Sequence, residues 1–414
     1  MTVQNRIRLV PMAALLLTLA TTAAGQELGG CPMFPSTNIW NAPIDQMPVH
    51  PSSSKYIESN GADRNLHPDF ADGGGIPFVI VPQDQKMVPI TFGDAADNSD
   101  PGPYPIPPNP PTENGTDRHV IVLQKGVCKL YEVYNYVTTP NGGLGGYAGA
   151  IFDLRNNFLR PDGWTSADAA GLPILPGLVR YDEIEAGQIR HAIRLTVPKS
   201  RRGYEWPARH YASRSDDPAL PPMGQRFRLK ASYDISRFDP KVQVLLRALK
   251  KYGMMLADNG QSWFITGAPD SRWNLDVWSQ IKQIKGTDLE AVDVSSLMIS
   301  PNTAQAASQT TIARQEIAFS ASPVFDTRNG NTLSMRLTGS VISSTLLNAP
   351  EGIGVTFLIC QDEQGGHQFQ WPPNVAGGMR IGLVPGACSA QSFASDGKGL
   401  YATSPGVADQ SMVQ

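Results

Sequence analysis

Charge is scarce in this chain: Asp, Glu, Lys and Arg together make up only 17% of 414 residues and leave a net charge of −3. That balance gives no basic footprint for nucleic acid, which is not expected as a partner. There are only four cysteines, and none stands in a CxxC or mixed Cys/His spacing, so a metal site is not expected. GxSxG, P-loop, HExxH and dinucleotide-binding motifs are all missing, which sets aside those enzyme classes and leaves no cofactor to expect. After the first twenty residues no apolar run approaches the roughly 18 that a bilayer helix needs, so no membrane span is expected.

What is present begins with a leader. Arg6 and Arg8 precede an apolar core from Met12 to Ala20, followed by Ala23, Ala24 and Gly25. This layout predicts a cleaved signal over residues 1–25 and a secreted or periplasmic mature protein. In an oxidising space the four cysteines form an even set. Of the three possible pairings, Cys31 with Cys128 and Cys360 with Cys388 is expected, because each pair then falls inside one proposed domain.

Glycine (39) and proline (35) are plentiful, which suits short strands joined by many turns. The segment from Cys31 to about Asn109 reads as extended wrapping around one short strand at 76–81. Strands are then expected at 119–123, 128–137, 148–155, 189–197 and 225–233. Asp239 caps a helix that begins at Pro240 and exits at Gly253, with Val242, Leu245, Leu246 and Leu249 on one face. Asn259-Gly260 signals a hairpin, and a second helix is expected from Trp273 to Ile284. The fold class expected is mainly β: a jelly-roll-like sandwich over 27–298 with one or two covering helices, a linker over 299–315, and a small C-terminal β-sandwich over 316–414.

Two strands share the pattern RHxIxL, at Arg118-His119 and Arg190-His191. Alternation puts each histidine on the face of its Ile and Leu, and the two imidazoles would meet if the strands were neighbours. Between Arg180 and Lys230 there are eleven Lys or Arg against six Asp or Glu. Arg226 and Arg228 lie on one strand face, so that surface is expected to be basic. A basic surface beside tyrosines suits a uronate-containing polysaccharide and β-elimination chemistry. In that scheme His191, His119 and Tyr204 supply acid and base, while Arg226, Arg228, Gln225 and His210 hold the substrate. Hydrolysis would instead need paired carboxyls, for which Asp153, Asp168, Asp182, Glu183 and Glu185 are candidates.

The stretches CPMFPSTNIWNAPID, DRHVIVL, WTSADAAGLPILPGLVRYDEI, IRHAIRLTVP, PPMGQRFRLKASYDIS and ALKKYGMMLADNG together resemble a family of secreted proteins from environmental bacteria. That resemblance implies secretion for the first domain and carries no activity. The tail, FLICQDEQGGHQFQWPPN with DGKGLYAT, looks like a small accessory β module, which implies attachment. The functional expectation is a secreted polysaccharide-active protein, a lyase ahead of a glycoside hydrolase, with a non-catalytic glycan-binding or surface adhesion protein as the alternative.

Overall fold

A computed structural model describes residues 26–139, 142–307, 314–349 and 353–410; the leader expected over 1–25 lies outside them. Strands β1 (Glu27–Leu28) and β2 (Cys31–Pro32) form a ribbon, and Cys31 is bonded to Cys128 across 97 residues, as expected. The proline-rich segment that follows carries α1 (Ser53–Asn60), which its sequence does not announce: Ser52 makes no side-chain cap, and only Gly61, left-handed at φ 103°, marks the exit. Next come β3 (His67–Pro68), β4 (Phe78–Val81), β5 (Ile90–Phe92), β6 (Val120–Gln124), β7 (Lys129–Tyr134), β8 (Val137–Thr138), β9 (Leu144–Gly146) and β10 (Ala148–Asp153). The hairpin expected between β6 and β7 is present, turning at Gly126.

The chain continues through α2 (Tyr181–Glu185), β11 (Ile193–Val197), β12 (Arg226–Leu229), α3 (Pro240–Lys251), β13 (Met254–Asn259), β14 (Phe264–Ile265), α4 (Leu275–Trp278) and β15 (Leu289–Val292). Two sheets organise it: four strands in the order β10-β7-β6-β4, and six in the order β15-β12-β13-β11-β14-β3. The chain is mainly β and sandwich-like. Its pairing is mixed, with parallel contacts at β4/β6 and β11/β13. Alternation along the four-stranded sheet sends Ile121, Leu123, Leu130 and Phe152 into the main core, and Val120, Val122, Tyr131 and Val133 into a second, smaller core. Both faces are therefore buried.

Helix α3 matches its sequence signature: the Asp239 side chain accepts from the Lys241 amide, and Val242, Leu245, Leu246 and Leu249 are buried. The second helix is shorter than expected, since α4 gives way to a 3-10 turn at Ser279–Gln283. Asn259-Gly260 is not a hairpin turn. Strands β13 and β14 both pair with β11, which lies between them, so the local turn signal was overridden by the insertion of a third strand.

The segment read as a linker over 299–315 is in part packed. Ile39 donates to the Ala304 carbonyl at 2.9 Å and Ala306 to Thr37 at 2.8 Å, and both alanines join the main core. Small polar residues resemble a solvated linker, yet here their backbone pairs with residues 37–39. A separate apolar cluster, with Phe325, Leu333, Phe357 and Phe393, forms beyond residue 314. There a seven-stranded sheet contains the second disulfide, Cys360–Cys388, joining directly opposed residues of Gly354–Gln361 and Cys388–Ser395.

Closing a 97-residue loop removes much of the unfolded chain's freedom. Replacing Cys31 and Cys128 by serine is expected to lower stability by about 2–5 kcal/mol. The measurement is the urea midpoint of the first unit, and an unchanged midpoint contradicts this account.

Candidate active site

Several residues expected to handle substrate are buried structural groups. Arg226 is fully buried and donates to the carbonyls of Ile39 and Tyr252, with no acid beside it; burial alone pushes its guanidinium down to about 9. Arg228 donates to the carbonyls of Ile44, Asp45 and Met47 and pairs with Glu290 at 2.8 Å. Gln225 donates to the carbonyls of Arg226 and Val292. The basic surface expected from the alternating arginines of β12 does not face solvent. They are covered by residues 39–47, whose carbonyls need donors in a dry interior, and guanidinium groups supply several each.

The two RHxIxL strands also separate. β6 belongs to the four-stranded sheet and β11 to the six-stranded one, so His119 and His191 are not partners. His191 is buried, with Nδ1 against the Ala192 carbonyl at 2.8 Å and Nε2 against Glu183 at 3.2 Å. Neither nitrogen is open to substrate. Burial opposes ionisation of Glu183, but Arg180 and His191 outweigh it and hold the carboxyl at about 2, too acidic for proton transfer near neutrality. Glu183 is instead the third residue of α2, where it caps the Arg180 amide. Asp182 is exposed and paired with Arg272, and Asp153 caps a surface turn at Arg155.

A different cluster of charge lies inside the first unit. Arg194, on β11, makes a two-point pair with Asp168 at 2.6 and 2.7 Å and gives its remaining nitrogen to the Thr266 hydroxyl at 2.8 Å. Asp168 is wholly buried. Its loop is also tied to the other sheet, because Glu132 of β7 accepts from the amides of Ile174 and Leu175 at 2.9 and 3.0 Å. Burial raises the Glu132 carboxyl to about 7 against the opposing pull of those amides. The loop reverses at Gly171 (φ +69°), where a Cβ would lie 2.5 Å from the Trp164 carbonyl. His119 braces the same loop. Its Nδ1 meets Glu113 at 2.5 Å and its Nε2 the Ala167 carbonyl at 3.0 Å. Burial opposes its charge, but Glu113 wins and holds the imidazole above the usual histidine range. An imidazole facing two acceptors donates from both nitrogens.

Above this cluster opens a cleft of about 390 Å³. Its walls include Tyr134, Tyr147, His210 and Tyr211, and its acids are Asp94 and Asp258; among the described residues no lysine or arginine lines it. Tyr134 and Tyr147 meet edge to face at 5.7 Å and 82°. His210 stacks on Tyr211 with nearly parallel rings, at 5.6 Å and 9°, and Tyr204 continues the stack at 6.4 Å. Tyr204 itself does not line the cleft; its hydroxyl donates to Asp162 at 2.6 Å. The His210 Nδ1 donates to the Ala169 carbonyl at 2.8 Å, so the lone pair of the neutral imidazole is at Nε2.

Asp258, near the end of β13, has 28% of its side chain exposed and lies 4.0 Å from the guanidinium that Asp168 already occupies. Burial, then the charge of Asp168, raises its carboxyl well above the ordinary range, with Arg194 opposing. One cation between two carboxyls cannot satisfy both. The cleft thus joins a carboxyl of raised proton affinity to an imidazole whose Nε2 makes no hydrogen bond among the described residues, a pairing suited to acid–base work. Sequence reasoning reached Asp168, His119 and His210 but missed Asp258. ADNG reads as a turn, and only the packing of β13 beside β11 brings that aspartate to Arg194. Among the described residues no cluster of His, Cys, Asp or Glu is arranged to hold a metal.

Two outcomes follow from the charge cluster. Arg194→Met leaves Asp168 buried without a counter-charge and is expected to cost about 3–5 kcal/mol in chemical denaturation; a loss below about 1 kcal/mol contradicts that role. Asp258 binds its proton more tightly folded than unfolded, so its contribution weakens stability as pH climbs from the ordinary carboxylate range through its raised value. Asp258→Asn should therefore melt above the parent at about pH 8 and close to it at about pH 4. A difference independent of pH contradicts the raised value.

Comparison with protein-family models, with curated proteins and with solved structures finds no match for this chain.

Proposed function

We propose that this chain is a secreted glycan-active enzyme that cleaves its substrate with water by general acid–base catalysis in the tyrosine-lined cleft. The observation that carries this reading is the presence in one cleft of Asp258, whose proton is held more tightly by burial and by the charge of Asp168, and His210, with an open Nε2. Asp258 donates its proton to the departing glycosidic oxygen. His210 takes a proton from a water as that water bonds to the anomeric carbon, and the two products are an alcohol and a hemiacetal. The tyrosine faces hold sugar rings by their apolar C–H surfaces, a use to which exposed aromatic rings are well suited. Two disulfides and the leader-like first residues support export.

β-Elimination is less well supported than it was from sequence. It needs a cation against the uronate carboxylate, and the arginines expected in that role sit on backbone carbonyls elsewhere. A glycan-binding role without catalysis is favoured by one observation, the stacked row of rings Tyr204–Tyr211–His210 beside the cleft.

The test is incubation of the purified protein with neutral, amino and acidic glycans, following new reducing ends and unsaturated products separately. New reducing ends are expected, lost by about a hundredfold to ten-thousandfold in Asp258→Asn and in His210→Ala. The rate should fall as pH rises past the Asp258 value, because the acid form is consumed. Unsaturated products would replace this reading by elimination, and retained binding with neither product would replace it by adhesion.

A further inference from the structure

The cleft carries acid and aromatic groups and no lysine or arginine among the described residues. Beneath it the Arg194 guanidinium is engaged at two points by Asp168, and Asp258 of the cleft lies 4.0 Å from that same guanidinium. The other buried cation nearby, His119, is taken up by Glu113. No positive charge is left over for a ligand. At the rim Asp94 is exposed and forms no hydrogen bond or ion pair with any described residue. The hydroxyls of Tyr134, Tyr147 and Tyr211 likewise have no hydrogen-bond partner among the described residues. The perpendicular rings of Tyr134 and Tyr147 make a corner, and Tyr147 and Tyr211 are exposed at 44% and 37%.

A carboxylate-bearing sugar entering here meets like charge and finds no donor cation. A sugar bearing a free amine meets the opposite situation. Its ammonium group is attracted to the negative face of a tyrosine ring and to an unpaired carboxylate, and both attractions strengthen as the cleft sheds water. Asp94, not Asp258, is the anchor for that charge: an ammonium seated on Asp258 would drive off the proton that the proposed chemistry uses.

We infer that the cleft selects amine-bearing sugar chains, seating the ammonium group between Asp94 and the tyrosine faces, and disfavours polyuronates. This rests on the proposal that the cleft is a glycan site.

The experiment is calorimetric binding of three oligosaccharides of equal length to the intact protein: a glucosamine oligomer, its N-acetylated counterpart and an oligogalacturonate, at low and high salt. The amine form is expected to bind about tenfold tighter than the N-acetylated form at low salt, with the gap closing as salt screens it. The uronate should bind weakest. Asp94→Asn should bring the amine form to the level of the N-acetylated form and leave the latter unchanged. Because Asp94 is exposed, circular dichroism of that variant should match the parent. Equal binding of amine and N-acetyl forms, or tighter binding of the uronate, overturns the selectivity while leaving the glycan site standing. Failure of all three to bind removes both.

Discussion

The two-point pair between Arg194 and Asp168 is the contact on which the rest of the first unit depends. Arg194 projects from β11 of the six-stranded sheet, and Asp168 from a loop that Glu132 ties to the four-stranded sheet through the amides of Ile174 and Leu175. One loop is thereby held against both sheets by charge-assisted hydrogen bonds in a dry interior, where they are strong and where a missing partner is costly. A hydrophobic loop would serve to fill the space. What the polar version adds is a defined position for much of the backbone between residues 166 and 175, including the Ala169 carbonyl that orients His210.

The same arrangement generates the reactive character of the cleft. Asp258 and Glu132 each feel the charge of Asp168, and Asp258, the one nearest solvent, lies beside a guanidinium that Asp168 already fills. Its raised proton affinity is thus a by-product of how the sheets are joined. The aromatic walls come from strands and loops that the disulfide and the proline-rich wrapping keep in register: Tyr134 ends β7, six residues after Cys128.

Much of the architecture was legible in the sequence because it rests on local signals. Strand alternation located β6, β7, β10, β11 and β12, the Asp239-Pro240 start located α3, and an even cysteine count placed in two segments indicated both disulfides. The site was only partly legible. His119 stood out through its RHxIxL pattern, whose arginine is incidental, since Arg118 bonds the Tyr136 carbonyl. Arg226 and Arg228 were misplaced because alternation distinguishes the two faces of a strand and does not say what covers each. Residues 39–47 cover the arginine face, and nothing in either stretch names the other.

The sequence by itself determined that this is a mainly β chain with paired cysteines and short, turn-rich strands, because periodicity, caps and cysteine number act over a few residues. Tertiary structure alone decided which ionisable groups meet. Arg194 and Asp168 are 26 residues apart, and Asp258 a further 64 from Arg194. The strength of their interaction depends on distance and on the exclusion of water, and neither exists until the two sheets close over the loop.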